Sequence, residues 1–422
     1  MRLRPLLLVM IASALNGVPA LAVDWAQWRG PQRTGVSAEK GLAESWPADG
    51  PKLIWQSKEL GDGYGSPSIA AGRIYLLSND GLENEYVQAL DATNGKQIWR
   101  KRLGQVGEPD QNPNYPAARS TPTIDGERLY ALGSDGDLVC LKTASGDILW
   151  QKNLRQEFNG KPGDWAYAES PLVDGNDVVC TPGGLDAAMV KLNKRSGDVI
   201  WKCTIPEAEN AGYASAIIVN FEGKKQYVQY FSKGLVGVDA ASGKFLWRGL
   251  RVDRDNMATP IEQDGFIYIQ SFSFGGWLGQ LTSTEGGVTA KEIYRKRGLP
   301  SSIGGAVLVD GHLYGTVRDG LVCADFKTGE IQWKNPSIGA GAVCSADGLI
   351  LVHGENSEVA LVEATPVEYR EKGRFKLPEV PPRRDQMEMA WSHPVVANGR
   401  LYIRDKNLLW CYNVADASPT QN

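Results

Sequence analysis

One phrase recurs along the chain and constrains its architecture more than any other feature: a small polar run, a glycine, three residues and a tryptophan. It reads DATNGKQIW to Trp99, KTASGDILW to Trp150, NKRSGDVIW to Trp201, DAASGKFLW to Trp247 and DFKTGEIQW to Trp333, with the glycine always four residues before the tryptophan. A repeat of this kind sets the architecture to which every local motif must belong. Before each copy lies a pair of apolar runs joined by a DG, NG or similar turn, as in STPTIDGERLYALG and HPVVANGRLYIRD, which is a β-hairpin signal. A third run follows, then the glycine corner, which needs positive φ, then the run ending in tryptophan. Four strands per unit at a spacing of about 45 residues describe a propeller blade.

Counting fourth strands gives the number of blades. They end at Trp99, Trp150, Trp201, Trp247, Tyr294, Trp333 and Phe375, and the last hairpin, at residues 393–405, is followed only by a third strand, NLLWCYNV. PKLIWQS, with Trp55, stands before the first hairpin and supplies the missing strand. The expected fold is therefore all-β: an eight-bladed propeller over residues 51–414, closed by an N-terminal strand that completes the last blade and removes an open sheet edge. Trp55, Trp99, Trp150, Trp201, Trp247 and Trp333 are expected to be structural, wedged between blades. Tyr294 and Phe375 keep an aromatic where the repeat has degenerated.

Outside the repeats, Arg2 and Arg4, the apolar run LLLVMIASAL and Ala20-Leu21-Ala22 read as a secretory signal over residues 1–22. No other stretch approaches the roughly 18 apolar residues of a membrane span. A periplasmic or secreted location is expected, with no lipid-bearing cysteine near the cleavage site. Losing the signal moves the formal charge from −4 to −6, which disfavours nucleic acid or an acidic membrane as partner. Residues 23–50 lack strand alternation but carry Trp25, Trp28 and Trp46, so a strap docked over one face or rim of the body is expected; residues 415–422 form a tail. Cys140, Cys323 and Cys411 occupy a repeat position that Ala89 and Gly237 fill elsewhere, and are expected to be buried free thiols. For Cys180, Cys203 and Cys344 a single disulfide stays open.

Functional residues are sought in the uneven loops leading into the innermost strands: residues 104–119, 152–169, 248–258 and 376–391. Tyr64, Arg119, Tyr167, Glu169, Tyr213, Asp255, Asn256, Trp391 and His393 stand just before inner strands and are expected to point into the axial mouth, where aromatic and charged groups suit a polar ligand or a peptide. Catalytic signals are weak. His312, His353 and His393 fall in three different blades without metal-site spacing, and no GxSxG, HExxH, P-loop or CxxC occurs.

The repeat with its terminal splice resembles the PQQ-type propeller repeat of quinoprotein alcohol dehydrogenases and of the BamB-type outer-membrane assembly factor. The opening WRGPQRTG and the following SWP resemble secreted PQQ-like propellers. The resemblance covers nearly all of the mature chain and implies fold more than function. The dehydrogenases hold their quinone with a disulfide between adjacent cysteines, a calcium ion and an Asp base; this sequence has no adjacent cysteine pair, and no calcium-ligand set transfers. Assembly factors of the BamB type are lipoproteins. The function expected is that of an exported, non-catalytic propeller binding a cell-envelope protein or polar small molecule at its axial face, with no cofactor. The alternative is a PQQ-dependent oxidoreductase using PQQ with calcium and Asp255 or Glu169 as base.

Overall fold

The computed structural model describes residues 24–111, 115–207, 210–252 and 257–416. The signal segment, Asp255 and Asn256 lie outside the described residues. Eight sheets of four antiparallel strands follow one another along the chain, the first being Ser68–Ala70, Arg73–Asp80, Asn84–Asp91 and Gln97–Gly104. The last is spliced: Leu53–Ser57 pairs antiparallel with Leu408–Asn413, placing Trp55 opposite Cys411. This is the expected eight-bladed propeller. One short α-helix, Leu154–Phe158, interrupts the loop into the third blade, capped by the Asn153 side chain. No helix among the described residues is long and apolar enough to cross a membrane.

The repeated tryptophans and glycines make contact across blades. Trp99 donates its indole N–H to Thr143 O (3.0 Å) in the next blade, and Trp150 does the same to Lys194 O (3.0 Å). The following glycine completes each dock: a Cβ on Gly146 would lie 2.7 Å from the Trp99 ring, and one on Gly243 would lie 2.5 Å from Trp201. Trp55 meets Ala92 O and Gly95 in the same manner, so the splice is docked like any other blade. Both glycines of a tight corner have positive φ, at +74° for Gly146 and +73° for Gly243, so the residue that permits the corner also admits the neighbour's ring.

Where the corner is lost, the dock is rebuilt. Trp247 faces a blade with a long outer hairpin and turns to Gln226 of its own sheet (2.7 Å). Tyr294 keeps the forward bond, from its hydroxyl to Phe326 O (2.9 Å). Phe375 has no polar tip and instead packs on Gly50 and Trp46, with ring centroids 5.6 Å apart in the latter pair. Ala89, Cys140, Gly237, Cys323 and Cys411 sit directly opposite their aromatic partners in the ladder, which explains why the position is small. All six cysteines are free and buried, including Cys180, Cys203 and Cys344.

The strap takes a different course from a docking over one face or rim. Its residues touch the inner strands of all eight blades, so it lies inside the axial channel. Trp25 bridges Ile69, Ala26 accepts from Ile124 N, and Arg33 donates to Ser170 O, Pro171 O and Ala216 O. The Trp28 indole donates to Thr259 (2.8 Å) and Arg29 to Ala306 O. Val36–Ser37 then runs parallel to Gly341–Ala346 as a fifth strand, and Ser37 donates to Val396 O (3.0 Å). From there the strap leaves across the hairpin face, where Glu39 accepts from Asn398 N and Gly399 N, and reaches the outer strand of the last blade. Interior sites of this kind have no surface periodicity to read, which is why alternation was absent from residues 23–50.

Removing the Trp99 docking ring should cost about 3 kcal/mol, the low end of the range for Trp→Ala in a core, because the ring is only partly buried. Trp99→Ala is expected to lower the unfolding free energy by that amount in urea titration, and Trp99→Phe by clearly less, because Phe375 already serves one blade.

Candidate functional site

In seven of the eight blades the chain before the inner strand contributes one side chain to a partial ring. Tyr64 stands three residues before Pro67, Arg119 before Pro122, Ala168 before Pro171 and Tyr213 before Ala216. Met257 precedes Pro260, Ile303 precedes Ala306 and Trp391 precedes Pro394 by the same interval. These seven residues line one cavity of about 350 Å³ on the loop face. Successive residues of an extended chain point to opposite sides, so a fixed offset from the strand start selects one direction. Trp28 of the strap and His393 also line it, so the plug helps close the cavity from the hairpin side. Tyr115, Trp165 and Met387 from the longer loops and Phe272 from the short turn between Phe266–Ser271 and Gly275–Thr284 complete the mouth.

Aromatic contacts hold this wall. Tyr64 and Trp391 meet edge-on with centroids 4.9 Å apart, Tyr115 lies 5.5 Å from Trp391, and Trp165 lies 5.6 Å from Tyr213. Trp28 meets the His393 ring at 4.7 Å. Burial and the charge of Arg29 push His393 down to about 3, so it is a neutral imidazole at physiological pH, and its Nε2 has no hydrogen-bond partner. The Arg119 guanidinium lies over the Tyr64 ring, 5.3 Å from its centroid, and donates to Gln111 Oε1 (2.7 Å) and Tyr115 O (2.6 Å). Desolvation lowers its pKa, yet it makes no ion pair with any described residue.

The loop carrying Met387 and Trp391 is fixed from behind. Arg383 makes a two-pronged contact with Asp405 (2.7 and 2.6 Å), a geometry that specifies orientation. Glu388 accepts from Tyr64 Oη (2.5 Å), Arg384 N (2.6 Å) and Lys406 Nζ (3.2 Å). Burial opposes its ionisation, but the Tyr64 and Arg384 bonds and the Lys406 charge hold its pKa below the ordinary value. Tyr115 in turn donates to Asp385 (2.5 Å).

Of the nine residues expected at the mouth, Tyr64, Arg119, Tyr213, Trp391 and His393 come together there. Tyr167 and Glu169 do not. They flank Ala168, which takes the inward position, and both point into the body: Tyr167 donates to Pro182 O (2.8 Å), and Glu169 accepts from Thr181 Oγ1 (2.6 Å) and Gln229 (3.2 Å). Trp28, Tyr115, Trp165, Met257, Phe272, Ile303 and Met387 were not anticipated. The constant offset before the inner strand would have found Met257 and Ile303; the loop and strap residues carry no such mark.

Burial pushes Glu169 up to about 7 against its bonds from Thr181 and the nearby charge of Arg33. It does the same to Glu85, which accepts from Ser134 and has one oxygen without a partner. A carboxyl whose folded value exceeds its unfolded value near 4.5 favours the fold while protonated. That contribution is complete below about 4.5 and is lost as pH rises through about 7. Stability from urea titrations should therefore decline across this window, and Glu169→Gln should make the decline shallower.

The blade splice, the cross-blade aromatic docks and an axial cavity on the loop face define a PQQ-like eight-bladed propeller. Residues 83–335 match the model of the family described as outer membrane protein assembly factor BamB, and the chain belongs to that family. Among curated relatives, the outer membrane protein assembly factor BamB of Yersinia pestis is 20% identical over 298 residues, covering 68% of this chain and 68% of the relative. That of Moranella endobia is 23% identical, over 74% of this chain and 70% of the relative. In structure, BamB from Moraxella catarrhalis superposes with a TM-score of 0.59 at 16% identity, covering 86% of this chain and 99% of that one. Quinohemoprotein alcohol dehydrogenase from Comamonas testosteroni gives 0.53 at 11% identity, covering 95% and 82%. At these identities the structural likeness concerns the fold alone.

Proposed function

We propose that this protein is a non-catalytic propeller, exported to the cell envelope, that binds a protein partner or polar ligand at its loop-rich axial face. The observation that carries this reading is the axial cavity, backed on the hairpin side by its own strap, walled by aromatic rings and rimmed by exposed apolar side chains. Phe272 and Met387 at that rim are 52% and 63% exposed. Apolar groups held out on a fixed rim around a concave site are typical of binding surfaces. Membership of a family described by its role in outer membrane protein assembly supports an envelope protein as the partner.

A photo-crosslinking residue placed at Phe272 or Met387 should form adducts with an envelope protein in cells. The same residue at Val367, more solvent-accessible than either and in a turn of the hairpin face, should not. Equal labelling from the two faces would overturn the axial face as the docking surface.

The alternative of a PQQ-dependent oxidoreductase finds little support in the lining. Among the described residues no three His, Cys, Asp or Glu side chains are grouped to hold a metal, and no two cysteines are adjacent in sequence. Glu169 is engaged behind the cavity wall, Asp255 lies outside the described residues, and among the described residues Arg119 is the one cation that lines the cavity. A single cation among the described lining residues offers little to balance the three carboxylates of PQQ. Protein mixed with PQQ and calcium is expected to show neither bound quinone absorbance nor dye reduction with alcohols; either signal would replace the binding reading.

A further inference from the structure

The cavity is chemically one-sided. Arg119 makes both of its hydrogen bonds through Nη2, and its Nε is buried without a partner. The Tyr213 oxygen accepts from Trp165 N (3.2 Å), so its own hydrogen remains to be donated. Ser215 is in the same position, its Oγ accepting from Ser170 N (2.9 Å) while its hydrogen makes no bond. Arg119 and Tyr213 lie close enough for the charge of one to bear on the other.

Of the acceptors near the cavity, Glu388 and the Oδ1 of Asp385 are committed, while the Nε2 of the neutral His393 has no partner and Asp385 is exposed on the rim. Glu388 takes three donors and Asp385 accepts from Tyr115 and from the backbone of Met387 and Glu388. Among the described residues the lining thus offers chiefly donors, with the His393 Nε2 the exception, and an uncompensated positive charge between indole and phenol faces. A positive ligand would meet Arg119 with nothing to balance either charge, and a neutral apolar one would leave the buried donors unpaired. A group with acceptor oxygens and negative charge satisfies both, and a guanidinium matches a carboxylate in two-pronged fashion. The rings call for a flat partner, and about 350 Å³ accommodates a small molecule.

We propose that the axial cavity takes a small planar aromatic monocarboxylate, its ring among Trp28, Trp165 and Trp391 and its carboxylate on Arg119 and the Tyr213 hydroxyl. This rests on the axial-face reading above and names its ligand class. Trp28 makes the site depend on the strap, since the floor is supplied by a residue that reaches the axis from the hairpin side.

Calorimetric titration of the full mature chain with indole-3-acetate, indole-3-acetamide and tryptamine tests this directly. The acid should bind, the amide at least tenfold more weakly, and the amine more weakly still. Arg119→Gln should bring the acid and amide to near parity, and Tyr213→Phe should weaken the acid severalfold with an unchanged melting temperature. Should Arg119→Gln fail to fold, the three probes on the unaltered chain together with Tyr213→Phe still decide. An amide equal to the acid, a preference for tryptamine, or no heat from any probe would overturn the proposal, as would tighter binding of PQQ, a tricarboxylate, than of the monoacid. Crosslinking at Phe272 reads out separately: adducts there without acid binding would sink the ligand class and leave the docking face standing.

Discussion

A closed ring of blades leaves eight inner strands facing one another around an axis, each with backbone groups that no neighbouring strand pairs. Buried peptide groups without partners are costly, so a narrow channel must be either wet or filled. Here the strap fills it. Arg29 and Arg33 are 4% and 3% exposed, and burial lowers both to about 10. Neither makes an ion pair among the described residues; Arg33 joins carbonyls of two blades, at Ser170, Pro171 and Ala216, and Arg29 joins Ala306 O of a third blade to Thr34 O of the strap. A planar fork of five donors can reach several strands at once, which a lysine cannot. The cavity above inherits its floor from this arrangement, as Trp28 is carried between Arg29 and the Trp25 bridge.

The same economy governs the ring itself. Each blade presents an aromatic to the next, and each corner glycine is both a bend and a socket. Because the socket belongs to the following blade, a lost corner is felt by its predecessor, as the altered course of Trp247 illustrates, although Trp333 keeps its forward bond to Thr365 O without one. The last blade needs no exception, since Trp55 finds Gly95 of the first blade as Trp99 finds Gly146.

Fold and closure were legible in the sequence because they rest on local, repeated chemistry: turn glycines, alternating apolar residues and an aromatic at fixed spacing. The cavity was half legible. Tyr64, Arg119, Tyr213, Trp391 and His393 follow from standing just before inner strands, but Tyr167 and Glu169 were displaced by a single step in an alternation of period two. At that step Ala168 faces the cavity and its neighbours face the interior, a distinction that residue type obscures because alanine does not advertise a site. Trp165, Tyr115 and Met387 come from irregular loops, where no period exists. The strap was recognised as docked from its tryptophans, whereas its path depends on contacts between residues far apart in the chain, which composition does not encode.

Arg29 bonds to a carbonyl 277 residues away, and Ser37 to one 359 residues away. A complete binding place for the strap therefore exists only when the ring is nearly closed, since its partners are spread over all eight blades and the final blade needs Leu53–Ser57 before it is whole. Closing such long loops is slow and brings no reward until the ring is nearly assembled. The strap thus acts as a keystone, bridging blades that are far apart in the chain and laying the cavity floor through Trp28.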